Sequence, residues 1–117
     1  MLLRDQRRAL HAYGVVAKVQ PHQQRDYKIA VNDLGANILR GGLCAAIASV
    51  QRLGDRGNVL LEHLASAGVV GLEGASAKDL ARRIREIDAD GYMMATRELL
   101  KVATWLKRAV QATFEEI

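Results

Sequence analysis

One cysteine, one proline and very few aromatic side chains set the first limits on this chain of 117 residues. A lone Cys44 cannot pair within the chain, so neither a disulfide framework nor a cysteine zinc cluster can be built from it. It lies in the apolar run Leu43–Val50, which reads as a helix carrying an inert thiol. No apolar run approaches the ~20 residues that a membrane span needs. The opening, MLLRDQRR, lacks the apolar stretch of a signal peptide, so a cytoplasmic protein without membrane contact is expected.

Catalytic and metal-binding patterns are missing as well. His11, His22 and His63 are scattered, and Glu62-His63 stands alone without a second histidine at helical spacing. His11 and His22 are expected to face solvent. The glycine-rich stretch 68–75, GVVGLEGA, has no strand before it and no Lys-Ser/Thr pair after it, so it is not a nucleotide loop. The DADG at 88–91 lacks the rest of a calcium loop and reads as a helix boundary capped by Asp88 or Asp90. No catalytic residue, metal or cofactor is expected, and the chain is not read as an enzyme. A formal charge of +4 permits a polyanionic partner without demanding one.

What the chain does have is helical periodicity. Half of its residues are apolar, mostly aliphatic, which suits packed helices. The strongest signal runs from Tyr92 to Glu116, roughly seven turns with no glycine or proline. Tyr92, Ala95, Leu99, Val102, Leu106 and Val110 mark its apolar face. Arg97, Lys101 and Arg108 fall within about 40° of one another on the other side, with Trp105 beside them. Trp105 can stack on a base, pack on a neighbouring subunit or cover the core edge.

A first helix is expected over Leu2–Val19, ended by Pro21. Leu2, Ala9, Ala12, Tyr13, Val16 and Val19 form its apolar face, and Arg4, Arg7, His11 and Lys18 a second basic stripe. Residues 22–26 read as a polar link. A helix follows over Tyr27–Leu39, weakened by Gly35 and broken at Gly41-Gly42. Another runs from Leu43 to Leu53. GDRGN at 54–58 reads as a turn, with Asn58 capping a short helix over Val59–Ala67. Ser76 and Asp79 form a capping-box pattern before a helix through Leu80, Ile84 and Ile87. No stretch alternates with period two for long enough to make a strand. The fold class expected is all-α: one domain over 1–117, a compact bundle of about five or six helices whose core comes mainly from the first and last. The two basic stripes suit contact with nucleic-acid phosphates.

The run YMMATRELLKVATWLKRAVQA resembles the end of the small subunit of the Cmr complex, the fifth Cmr protein family of type III-B CRISPR systems. That family repeats a Tyr, then Ala-Thr-Arg-Glu, then Trp-Leu-Lys-Arg on one long helix. Here they are Tyr92, Ala95 to Glu98 and Trp105 to Arg108. Leu34-Gly35, Ile38 and Gly41-Gly42-Leu43 match a second family signature in outline, with Gly35 in place of Pro and Gly41 in place of Asn. Gln6, Arg8, Ala9 and Tyr13 look like the family's opening helix. The resemblance implies an all-α, non-catalytic subunit of a crRNA-guided, RNA-targeting antiviral effector. It implies partners too: the large subunit, the backbone subunits, further copies of itself stacked as a minor filament, and crRNA with target RNA. Arg97, Lys101, Arg108, Arg4, Arg7 and Lys18 are then the candidate RNA-contacting residues, and Trp105 a candidate at a subunit interface.

Two rival readings need no family. A helical DNA-binding regulator would use Ser76–Ile87 and the last helix as a helix-turn-helix, although Tyr-Met-Met is a poor start for a recognition helix. A small metal hydrolase would be built around His63 and nearby acids.

Overall fold

The structure, a computed structural model, describes residues 1–114. Among the described residues there are six α-helices and no strand. They are α1 (Arg4–Val16), α2 (Gln24–Gly41), α3 (Leu43–Gln51), α4 (Asp55–Ala65), α5 (Leu80–Glu86) and α6 (Ala89–Thr113), with a 3-10 turn at Pro21–Gln23. Helix α6 packs against α1 and α2, α2 also against α3 and α4, and α3 against α4 and α5.

Asp88 starts α6. Its carboxylate accepts from the Gly91 backbone N–H at 2.8 Å, one turn before the apolar periodicity begins at Tyr92. The helix therefore begins earlier than Tyr92, and the last two residues expected in it, Glu115 and Glu116, lie outside the described residues. From Ala95 to Val110 its apolar stripe is buried, as the spacing predicts.

Tyr92 has a second task. Its hydroxyl accepts a hydrogen bond from the Cys44 backbone N–H at 3.1 Å. That N–H is one of the orphan donors at the start of α3, so α6 caps α3 from a distance in sequence. The chain turns from α2 into α3 at Gly42 with φ at 89°, a backbone state that side chains other than glycine resist. Gly41 is the last residue of α2, so the break expected at Gly41-Gly42 is placed on the second glycine. Cys44 is exposed, on the outer side of α3, rather than packed within an apolar run.

Several expected boundaries are corrected. Helix α1 ends at Val16, and Pro21 opens the 3-10 turn instead of closing α1. The polar link at 22–26 is half helix, because α2 starts at Gln24. GDRGN is not a free turn. Gly54, at φ 60°, is the cap residue, and Asp55 to Asn58 make the first turn of α4. Asn58 is thus inside the helix, its amide donating to Glu62 at 3.1 Å. Ser76 and Asp79 do bond to each other at 3.0 Å, but they close the turn before α5 and do not cap it. Gly35 leaves α2 unbroken.

The first helix contributes less to the core than expected. Of its apolar face, Ala12 and Val16 are buried, with Val19 just beyond its end, whereas Leu2 and Tyr13 are exposed. The bulk of the core comes from α6 and α2 with α3 and α4, including Tyr27, Leu34, Ile47 and Leu60. No helix among the described residues is long and apolar enough to cross a membrane.

Candidate nucleic-acid interface

The site begins with a misfit in the apolar stripe of α6. Glu98 sits one turn after Ala95 and one turn before Val102, both buried, so helix geometry forces its carboxylate inward. A buried carboxylate needs partners. Arg4 and Arg8, on successive turns of α1, supply them at 3.0 and 3.3 Å, and Lys101 closes to 3.8 Å from its own helix. The side chains of Glu98 and Arg8 are only 8% and 11% exposed, which makes theirs the interior pair of the cluster. Arg8 also donates to the carbonyl of Ala67, joining α1 to the loop after α4.

Above this cluster lies a cleft of about 390 Å³ between α1, α6 and the loop at Ala67–Val70. Arg4, Arg7 and Arg8 enter it from α1, and Arg97 and Lys101 from α6. Val70 and Met94 form an apolar part of its wall. Five cations against one carboxylate leave a strongly positive recess. Arg7 and Arg97 are not fully buried and make no ion pair among the described residues.

Of the six cations expected at RNA, the structure thus brings four together: Arg4, Arg7, Arg97 and Lys101. Arg108 stays apart. It lies further along α6 with its guanidinium 4.8 Å from the centre of the Trp105 ring, a cation–π pair beside the half-buried indole. Lys18, in the turn after α1, does not line the cleft. Arg8 and Glu98 were not singled out by sequence as site residues. An acidic residue in the middle of an apolar helical stripe is the signal that points to them.

A second polar group lies behind α1. The Ser66 hydroxyl donates to the His63 carbonyl at 3.1 Å and stands 2.9 Å from His11 Nε2. Tyr27 Oη is 2.7 Å from His63 Nδ1. Burial, reinforced by the charge of His11, pushes His63 down to about 4. His11 is half-buried, not solvent-facing as expected, and burial and then Arg8 lower it too. Burial raises the Tyr27 phenol, so the phenol stays protonated and shares a hydrogen bond with the neutral His63 ring.

The sign of the resulting pH dependence is fixed. Above pH 6.5 His63 is neutral whether the chain is folded or not. Below it, the unfolded chain takes up a proton that the folded one refuses, down to about pH 4. Stability is expected to fall over that window by on the order of 2 kcal/mol, after allowance for solvent screening of a partly exposed group. Urea titrations across the window test this. In His63→Gln the slope should flatten, and an unchanged slope would assign the effect to other groups.

Among the described residues no group of three or more His, Cys, Asp and Glu side chains has the arrangement to hold a metal ion. A family model described as CRISPR-associated protein (Cas_Cmr5) matches residues 4–113. A curated relative, the CRISPR system Cmr subunit Cmr5 of Thermus thermophilus, is 32% identical over 99% of this chain and 100% of its own length. A crystal structure of a CRISPR-associated Cmr5 family protein, also from Thermus thermophilus, superposes with a TM-score of 0.86. It is 29% identical, and the match covers 97% of this chain and 100% of that one.

Proposed function

We propose, proceeding from the fact that this chain belongs to the Cas_Cmr5 family of CRISPR-associated proteins, that it is a non-catalytic small subunit of a crRNA-guided Cmr effector in the cytoplasm. Copies of it stack as the minor filament beside the large and backbone subunits. The cleft between α1 and α6 faces the RNA backbone of the guide–target track. Trp105, with Arg108 laid on its ring, serves as an anchor toward a neighbouring subunit.

One observation carries the RNA reading. Arg4 and Arg7 from one basic stripe and Arg97 and Lys101 from the other, far apart in sequence, meet in a single recess. Accessible arginines meet phosphate with several donors each and carry no base specificity, which suits a subunit that must accept any guide. A single copy offers few phosphate contacts and binds weakly, whereas stacked copies gain by multivalency.

The test is the double reversal Arg7→Glu/Arg97→Glu in the assembled complex. Target-RNA affinity is expected to fall about tenfold at moderate salt. The slope of log affinity against log salt should shrink by about 1 to 2, the signature of lost phosphate contacts. Neither position is buried or ion-paired among the described residues, so the fold and particle composition should be unchanged. An intact particle with unchanged affinity and slope would remove the cleft from the RNA track.

A further inference from the structure

The loop between α4 and α5 brings an apolar side chain to the cleft and holds it there. Val69 and Leu72 are buried and pin the loop to the core. Between them the chain makes a tight turn, closed by the Leu72 N–H on the Val69 carbonyl at 3.0 Å. Gly71 takes the third position of the turn with φ at 91°, the left-handed state that a type II turn needs there. Its N–H is held by the Glu73 carboxylate at 2.6 Å, and Arg83 of α5 donates to the Glu73 carbonyl. Val70, second in the turn, is thereby carried outward and left 62% exposed.

Met94 meets the same recess from α6. It is 50% exposed and stands one turn ahead of Arg97, about 4.5 Å along the axis, so apolar and cationic contacts lie within reach of one small ligand. Val70 and Met94 line the cleft together with the five cations and Glu98. A phosphate makes no use of an apolar wall, so the occupant has an anionic part and an apolar part close together. An acidic peptide brings carboxylates at only some of its residues and leaves most of the positive charge unmatched. A nucleic-acid strand brings a phosphate with every base. The volume of about 390 Å³ suits one small molecule and not a length of duplex. A base inside a duplex also has both faces covered by its neighbours, so only an unpaired one can lie against Val70 and Met94.

We infer that the cleft seats one unpaired nucleotide of a single RNA strand, its phosphate met by Arg7 and Arg97 and its base laid against Val70 and Met94. The inference rests on the RNA reading of the cleft proposed above and names the form of RNA that the cleft takes. Valine and methionine hold a base by burial and dispersion, with no donor or acceptor to read its edge, and methionine adapts its shape to each ring. All four bases are accepted, purines somewhat better because they bury more surface. Part of the affinity is then apolar and survives at high salt, where phosphate contacts fade.

Titration of the full-length chain at low salt tests it. The probes are a short single-stranded RNA, a ribose-phosphate backbone of the same length without bases, and an RNA duplex. Methyl NMR of the valines and methionines reads the site, and fluorescence anisotropy the affinity. The single strand should shift the Val70 and Met94 methyls and bind about fivefold more tightly than the baseless backbone. The duplex should leave those methyls unmoved. Val70→Ser/Met94→Gln should erase the fivefold advantage while affinity for the baseless backbone and the salt slope stay the same. Both positions are exposed, so circular dichroism should report native helix in the variant. Equal affinity with and without bases, or a variant that binds both strands like the wild type, would overturn the base seat and leave the phosphate contacts standing. A duplex that shifts the methyls as strongly as the single strand would overturn the need for an unpaired nucleotide. Methyls that move with a purified partner subunit and not with RNA would give the apolar wall to a protein and overturn the seat. Binding to none of the three probes would overturn it too, and the double reversal in the assembled complex then judges the RNA reading of the cleft separately.

Discussion

Glu98→Gln is expected to destabilise the fold by about 3 kcal/mol and, at temperatures where the variant is still folded, to tighten the hold of the cleft on RNA. The two effects share one cause. The carboxylate is buried against Arg8 and within 3.0 Å of Arg4. With a neutral amide in its place, the Arg8 guanidinium keeps the Ala67 carbonyl but loses its counter-charge in a site almost closed to water. Arg4 and Lys101 are released toward the recess, which becomes more positive and more attractive to phosphate. Urea denaturation of the isolated chain reads the first effect, and target-RNA affinity of the assembled particle reads the second. Unchanged stability would mean that the cluster does not tie α1 to α6. Lower stability with unchanged affinity would leave the cluster as architecture and place the RNA elsewhere.

Gly57→Ala is expected to cost about 3 kcal/mol, a large share of the stability of a domain this size. An added Cβ would stand 2.3 Å from the Val50 carbonyl oxygen, with Val50 Cγ1 at 3.1 Å and Leu53 Cβ at 3.2 Å. The oxygen belongs to the backbone at the end of α3 and accepts from the Leu53 N–H, so it cannot swing aside. The corner between α3 and α4 must open instead. Gly35→Ala is the matched control. Its Cβ meets nothing within 4 Å, so helix propensity alone should make that change stabilising by up to about 1 kcal/mol. Thermal melts of the pair should move in opposite directions. If both fall, the cost at Gly57 is not the close approach.

These two residues mark where sequence reading reaches and where it stops. The long last helix, its buried face and the all-helical class were legible because periodicity over many turns overrides local noise. Asp88 was legible as a cap because capping chemistry is local. Gly57 was not. In D-R-G-N a glycine reads as turn chemistry, whereas here its use is to let two helices touch, a fact of tertiary contact. Glu98 was passed over because the wheel sorts apolar from polar and treats an acid in the apolar stripe as an exception. Helix α1 misled for a related reason. It carries two apolar stripes, and spacing does not tell which one the core takes, so Leu2 and Tyr13 were placed inside. The basic stripes were each legible, but the meeting of Arg4 and Arg7 with Arg97 and Lys101 at one cleft needed the packing of α1 on α6, and spacing did not separate Arg108 and Lys18 from them. A helix-turn-helix reading finds little at the start of α6, where Tyr92 is already engaged with α3.

The pairing of α1 with α6 also joins helices far apart in the sequence. A ribosome releases α1 well before α6, so α1 waits undocked until α6 has emerged. Closing that long loop is slow compared with forming the local α2–α3–α4 contacts. During the wait the exposed Leu3, Leu10 and Tyr13 and the inner stripe at Ala12 and Val16 are all uncovered, so the nascent chain is at its stickiest just before α6 docks. A messenger that stops short of α6 yields a product with no seat for its own first helix.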